Sequence, residues 1–410
     1  MLNILWFLFF LLAFIASLYQ WLVLGNSGIF NDIVQNLFKY ANIAFEIALG
    51  LTGIMCLWLG LMKIAEKAGL VQLIAKGLSP LFERIMPSVP KNHPALGSIT
   101  MNMVANMLGL DNAATPLGLK AMSDLQSINK SKDTASDAQI FFLVLNASSV
   151  TLLPMSIFMY RSQQGAPEPT MVFIPILLAT ACSTLAGFLY VSIAQRIKLW
   201  DPVILAYLSG FALVIGGTGY FLNQLPQEEM NRQSTLIGNL LLFSIVMTFL
   251  IAGFTQKVPL YETFVEGAKE GFTIAIKIIP YLVAMLIAIA CLRASGLLDG
   301  ILHIIKSGVT TIGWDTSFVD ALPTALIKPF SGSGARGMML ETMQNHGVDS
   351  LPAVMATIIQ GSTETTFYVI AVYFGSVGIT KTRYAIPGGL FAEVAGVVAA
   401  ILIGYWFFGQ

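Results

Sequence analysis

The sequence predicts an all-α polytopic membrane protein made of two related halves, arranged as inverted repeats, each with a broken or re-entrant segment. Three observations carry that prediction. The 410 residues are 56% hydrophobic and 11% charged, with a mean hydropathy of +0.76, whereas soluble domains carry about 25% charged residues. Apolar runs of roughly the 20 residues a helix needs to cross a bilayer recur at 2–24, 43–65, 138–160, 171–193, 203–222, 235–254, 273–292, 352–375 and 385–408. Two of these runs, 138–160 and 352–375, hold polar clusters at matching places, and the elements around them follow the same order.

The first run has no basic residue before it and is longer than the apolar core of a signal peptide, so it is expected to be a retained span. After the second run, residues 69–86 are amphipathic, with Lys76, Glu83 and Arg84 on a polar side, as in a helix lying at the interface. Residues 95–122 follow, an apolar stretch interrupted by Asn102, Asn106, Asp111, Asn112 and Thr115 and broken by Gly109 and Pro116. Such backbone survives at membrane depth only where protein or water satisfies it. The third run, FFLVLNASSVTLLPMSIFMY, carries Asn146, Ser148, Ser149 and Thr151 at its centre.

The second half repeats this order. The 273–292 run leads into RASGLLDGILHIIKSG, which mirrors EKAGLVQLIAKGLSP of the first half. Residues 321–343 then mirror 95–122, broken by Pro323, Pro329, Gly332, Gly334 and Gly337 and charged at Lys328 and Arg336. ATIIQGSTETTFYVIAVYF aligns without a gap on the third run. Asn146 meets Gln360, Ser148 meets Ser362, Ser149 meets Thr363, Thr151 meets Thr365, and Val150 stands where Glu364 stands. Read as a continuous helix, the second cluster puts Gln360, Thr363 and Glu364 on one face. A carboxylate at mid-membrane depth is costly unless it faces protein or water, which marks Glu364 as a site residue. The hydroxyls alone fit helix–helix glue equally well.

Lysine and arginine placement orients the chain. With the N-terminus in the cytoplasm and both broken segments returning to their own side, inner loops hold Lys63, Lys67, Lys130, Lys132, Lys198, Lys257 and Lys381 among others. The outer side holds Lys39, Arg161, Arg232, Arg293 and Lys306. That bias matches the positive-inside rule and makes the halves opposite in direction. Inverted repeats with paired broken helices are a transporter signature, with the site at the repeat interface. In that site Ser331 and Ser333 flank opened backbone. Arg336 is read as an anion ligand, as a partner of Glu364 or Glu341, or as a side chain reaching for the interface. Asp111 fits a helix cap. Asn102 and Asn106, one helical turn apart, are bonded to each other or line a cavity.

Other chemistries find no support. Formal net charge is zero, which leaves no nucleic-acid footprint. Cys56, Cys182 and Cys291 stand alone in apolar runs, and His93, His303 and His346 are scattered, so neither a disulfide framework nor a metal site is expected. GSGARG at 332–337 matches GxGxxG but lacks the strand–turn–helix context of a dinucleotide fold. No HExxH, GxSxG or P-loop occurs, so an enzyme is not expected and no cofactor is called for.

The motifs resemble a known family. CLWLGLMKIAEKAGL, NHPALGSITMNMVANMLGLDNAATPLGLKAM and NASSVTLLP look like bacterial spore maturation protein A. VPLYETFVEGAKEGF, IIPYLVAMLIAIACLRASGLLD, KPFSGSGARGM and QGSTETTFYVIAVYFG look like spore maturation protein B. The chain resembles a fusion of the two, 1–198 and 199–410, within the broader gate or nucleoside-recognition group. The resemblance implies a multi-pass protein of the bacterial inner membrane, with membrane lipid and an unidentified small solute as partners and room for a homo-oligomer. The combined expectation is a transporter moving a small polar or anionic solute, with a non-transporting scaffold or regulatory subunit as the alternative.

Overall fold

The computed structural model describes residues 2–108, 111–148 and 151–409. The helices run α1 (Leu2–Leu22), α2 (Ile29–Lys67), α3 (Leu70–Ile85), α4 (Pro94–Met107), α5 (Asp111–Ser127), α6 (Asp137–Ser148), α7 (Met155–Gln163), α8 (Phe173–Ala194), α9 (Pro202–Asn223), α10 (Gln227–Thr255), α11 (Leu260–Ala294), α12 (Leu297–Thr311), α13 (Leu322–Ile327), α14 (Gly332–His346), α15 (Leu351–Ser362), α16 (Thr366–Ser376) and α17 (Ala385–Phe408). Among them α2, α8, α9, α10, α11 and α17 are long and apolar enough to cross a membrane unbroken, and α1 adds an apolar stretch from Trp6 to Leu22. The chain is a multi-pass helical membrane protein.

The repeat extends to local geometry. In each half a long helix, α2 or α11, is followed by a glycine in the left-handed region, Gly69 (φ +78°) or Gly296 (φ +70°), a conformation glycine adopts without steric cost. An amphipathic helix follows, α3 or α12. The α3 residues Val71, Ala75, Phe82 and Ile85 face inward, as the sequence predicts. A helical hairpin comes next, α4–α5 in the first half and α13–α14 in the second, with α4 packed along α5 and α13 along α14. His93 caps α4, and Ser331 caps α14 by accepting from the Gly334 N–H at 3.0 Å.

One expectation is corrected here. The runs at 138–160 and 352–375 are not continuous helices. α15 stops at Ser362, Thr363 is fully extended (φ −142°, ψ 163°), Thr365 is extended too, and α16 starts at Thr366. The first half breaks in the same place, after Ser148, and resumes at Met155. Gln360, Thr363 and Glu364 therefore do not share a helix face. Small hydroxyl residues compete for backbone hydrogen bonds, and Pro154 prevents early resumption in the first half. Ser148 Oγ donates to the Leu145 carbonyl and Ser362 Oγ to that of Ile359, so each helix end is closed by its own serine.

Three pairings join the end of an element in one half to the start of its counterpart in the other, which makes the repeats inverted. Lys67 and Lys63, at the end of α2, pair with Glu266 and Glu270, at the start of α11, at 2.6 and 3.1 Å. The loop before α6 lies against the loop after α16: Asp133 meets Lys381 at 2.7 Å, Asp137 meets Arg383 at 2.8 Å, and Thr134 and Lys381 form a β-bridge. At the opposite end Arg161, closing α7, meets Asp349, just before α15, at 2.6 Å. Arg161 is thus a buried helical residue rather than a loop residue. α9 rests on α3 through Arg84–Asp201 at 3.4 Å and a hydrogen bond from Tyr207 to the Gly77 carbonyl.

Candidate functional site

The two broken spans cross at their breaks, and a cavity of about 150 Å³ opens there. Its wall draws on both halves. The first half supplies Trp58 of α2, Asn106 of α4, and Thr151 to Ile157 after the first break. The second supplies Ile274 of α11, Lys328, Gly332, Arg336, Gln360, Thr363 and Glu364. Backbone bonds hold the crossing open. The Glu364 N–H donates to the Ala147 carbonyl at 2.9 Å, Leu152 N–H to Met107 at 3.0 Å, and Phe367 N–H to Pro329 at 3.0 Å. The last two tie each break to the tip of its own hairpin, so the unwound segments spend polar backbone on each other and on the hairpins, as membrane depth requires.

The first-half amides form a chain. Asn106 Nδ2 donates to Asn146 Oδ1 at 2.8 Å and to Asn102 Oδ1 at 3.4 Å. Asn102 Nδ2 donates to the Ala114 carbonyl at 2.7 Å and reaches the Tyr373 hydroxyl of α16 at 3.4 Å. Both outcomes expected for the pair hold: the amides bond each other, and Asn106 also faces the cavity.

The second half brings charge. Lys328, between α13 and α14, is buried and donates from Nζ to the Gln360 carbonyl at 2.8 Å. A cation at the carbonyl end of α15 complements the helix dipole. Arg336 crosses to the first half, with its guanidinium 5.4 Å from the Tyr160 ring centroid and Nη1 3.4 Å from the Tyr160 hydroxyl. Glu341, one partner expected for Arg336, instead pairs with Arg293 and Asn345 away from the cavity. Glu364 presents its carboxylate on the cavity wall that also holds Arg336 and Lys328.

Of the residues singled out from the sequence, Asn106, Arg336, Gln360, Thr363 and Glu364 gather at the cavity. Asn102 and Asn146 buttress it. Ser148, Ser331 and Ser362 close or cap helices, Ser333 bonds Ser331 at 3.2 Å, and Thr365 precedes α16. Thr115 lies on α5 away from the cavity. Ser149 and the side chains of Asp111 and Asn112 lie outside the described residues. Sequence reasoning noted Lys328 as a charge in the broken segment without placing it in the site and left out Glu393, although each is a charge in an apolar stretch, the same signal that selected Glu364.

Comparison with known proteins agrees with this architecture. Spore maturation protein B of Bacillus subtilis (strain 168) is 48% identical over 166 residues, which is 40% of this chain and 92% of that protein. Spore maturation protein A of the same organism is 38% identical over 163 residues, 40% of this chain and 83% of that protein. The family model described as Gate, nucleoside recognition, matches twice, at residues 48–163 and 275–380, so each matched stretch runs from a long helix through a hairpin and a broken span. The chain belongs to the Gate (nucleoside recognition) family and is homologous to spore maturation proteins A and B.

Proposed function

We propose that the protein is a transporter-like component of the bacterial inner membrane, moving a small polar or anionic solute through the cavity at the interface of its halves. The observation that carries this reading is the crossing of two broken spans around a polar cavity lined by Lys328, Arg336 and Glu364. Ionisable side chains at membrane depth mark solute or ion pathways, and paired broken helices place such sites at the repeat interface. The two basic groups suit an anion. A cavity of about 150 Å³ suits a small solute.

In the same reading residues 1–198 correspond to spore maturation protein A and 199–410 to spore maturation protein B, so one chain joins counterparts of two separate proteins. The positive-inside bias puts the Asp133–Lys381 face in the cytoplasm. The test is reconstitution of the full chain into sealed proteoliposomes loaded with a mixture of small metabolites, with the retained and released species read by mass spectrometry. Selective release of one class of small anions or polar solutes supports the reading. No release beyond that of empty liposomes would favour a scaffold that keeps the fold and moves nothing.

A further inference from the structure

Four oxygen atoms around the second break, Gln360 Oε1, Thr363 Oγ1, Thr366 Oγ1 and Glu393 Oε2, are buried and make no hydrogen bond of good geometry among the described residues, although the Thr366 hydroxyl lies beside the Glu393 carboxyl. Glu393 comes from α17, an otherwise uncharged span, and only 3% of it is exposed. Its other oxygen accepts the Thr366 N–H at 3.2 Å, at the first residue of α16. An unpaired buried carboxylate oxygen is expensive, so its position calls for an explanation.

The packing shows how the cluster is assembled. Gly389 and Gly396 flank Glu393 on one face of α17. A Cβ on Gly389 would stand 2.6 Å from Thr366 Cγ2, and one on Gly396 2.5 Å from Thr363 Cγ2. Only glycine lets α17 approach this closely, and the approach seats Glu393 between the two threonines. Beside Gly396, Ser183 of α8 spends its hydroxyl on the Ala392 carbonyl. The charged groups that face Glu393 are Lys328 and Glu364. Lys328 is engaged with the Gln360 carbonyl, and Glu393 forms no ion pair within 4 Å among the described residues.

The donor set is all oxygen, one carboxylate, two hydroxyls and an amide carbonyl, which is the chemistry of hard cations. α15 ends at this point, and the carbonyl end of a helix carries about half a negative charge. We propose that Glu393, Thr363 and Thr366 form a binding site for one monovalent cation, either an alkali-metal ion or a proton, set between the second break and α17 and adjoining the solute cavity through Thr363. An alkali-metal ion takes Glu393 Oε2 and the two threonine hydroxyls as ligands. A proton sits on Glu393 Oε2 and makes the carboxyl neutral.

The test reads stability, so it does not depend on knowing a solute or on transport taking place. The full chain in detergent is melted in NaCl, KCl and choline chloride at equal ionic strength, and across a pH series. Occupancy by an alkali-metal ion raises Tm over choline by about 3–5 °C, and Glu393→Gln abolishes the difference. Occupancy by a proton gives no difference among the salts but a pH-dependent Tm that flattens in Glu393→Gln. Thr366→Val, which keeps the shape and removes one hydroxyl, covers the case in which Glu393→Gln does not fold. It raises the sodium concentration needed for half the shift roughly tenfold, or shifts the pH midpoint. Salt and pH responses that are the same in wild type and in the variants overturn the site.

Discussion

The backbone N–H of Glu364 donates to the carbonyl oxygen of Ala147 at 2.9 Å. This bond joins the break in one half to the break in the other and puts the only charged residue of the two polar clusters at the crossing. It also accounts for the asymmetry between the twins. Glu364 faces the cavity, and its counterpart in the other half is Val150, so one half supplies charge and the other supplies amides.

Ala147 is fully buried at the crossing, which makes its volume a test of it. Ala147→Leu is expected to destabilise the protein by about 1–3 kcal/mol, the usual cost of overpacking a core, read as a lower Tm of the purified chain. An unchanged Tm would mean that the helices do not meet there.

The amide chain predicts coupling between residues 40 positions apart. Asn106 and Asn146 share a 2.8 Å hydrogen bond. Asn146→Leu leaves Asn106 short of an acceptor, and the double variant with Asn106→Leu should be less destabilised than the sum of the singles. Membrane double-mutant cycles average about 0.6 kcal/mol, with a maximum near 1.7, and a value in that range is expected. Strict additivity would place the two amides in separate environments.

The ion pairs that clasp the two ends of the broken spans should differ in strength. Arg161 is fully buried, and Asp349 is its partner. Asp349→Ala leaves a buried guanidinium with the Val348 carbonyl but no counter-charge, at a cost of roughly 2 kcal/mol, below the full buried-pair figure because Asp349 is partly exposed. The Asp133–Lys381 pair is exposed on both sides and screened by salt. The Lys381 hydrogen bond, then that of Thr134, holds the Asp133 carboxyl below its ordinary 3.8. With the folded value depressed, this contribution is fully present above pH ~4 and is lost as pH falls through the folded value. Asp133→Asn should therefore flatten the acid side of the Tm–pH curve by lowering Tm slightly at neutral pH and leaving it unchanged below the folded value, while Asp349→Ala lowers Tm throughout.

Two separately expressed fragments, 1–198 and 199–410, should copurify when made together. The α2–α11 pair, both clasps and the cavity lie between them, and α9 of the second fragment rests on α3 of the first. If each fragment purifies as a stable monomer and the two never associate, the paired halves are wrong.

The sequence carried the spans, the repeat and the hairpins, because apolar length, proline and glycine positions and polar interruptions report them directly. It did not report the breaks inside the two polar-centred spans. Both runs are long enough to cross as helices, and nothing in GSTETT distinguishes hydroxyls that glue helices from hydroxyls that replace helical bonds. Pairings across long separations were out of reach for the same reason. Glu341 goes to Arg293 and not to Arg336 because α14 turns one face to α11 and another to the cavity, and composition does not say which. Glu393 was legible: a lone acid in an apolar 24-residue helix meets the criterion that selected Glu364.

The most direct test of a solute site shared by the two halves is solute flux through Glu364→Gln in proteoliposomes, compared with wild type at matched protein amount. The substitution keeps the shape of the side chain and its backbone bond to Ala147 while removing the charge from the cavity. Normal folding and membrane insertion with loss of flux are expected, and Ser148→Ala, which removes only a helix-end hydroxyl, should have the milder effect. Flux equal to wild type at every pH tested would make the carboxylate structural and contradict a charged site at the crossing.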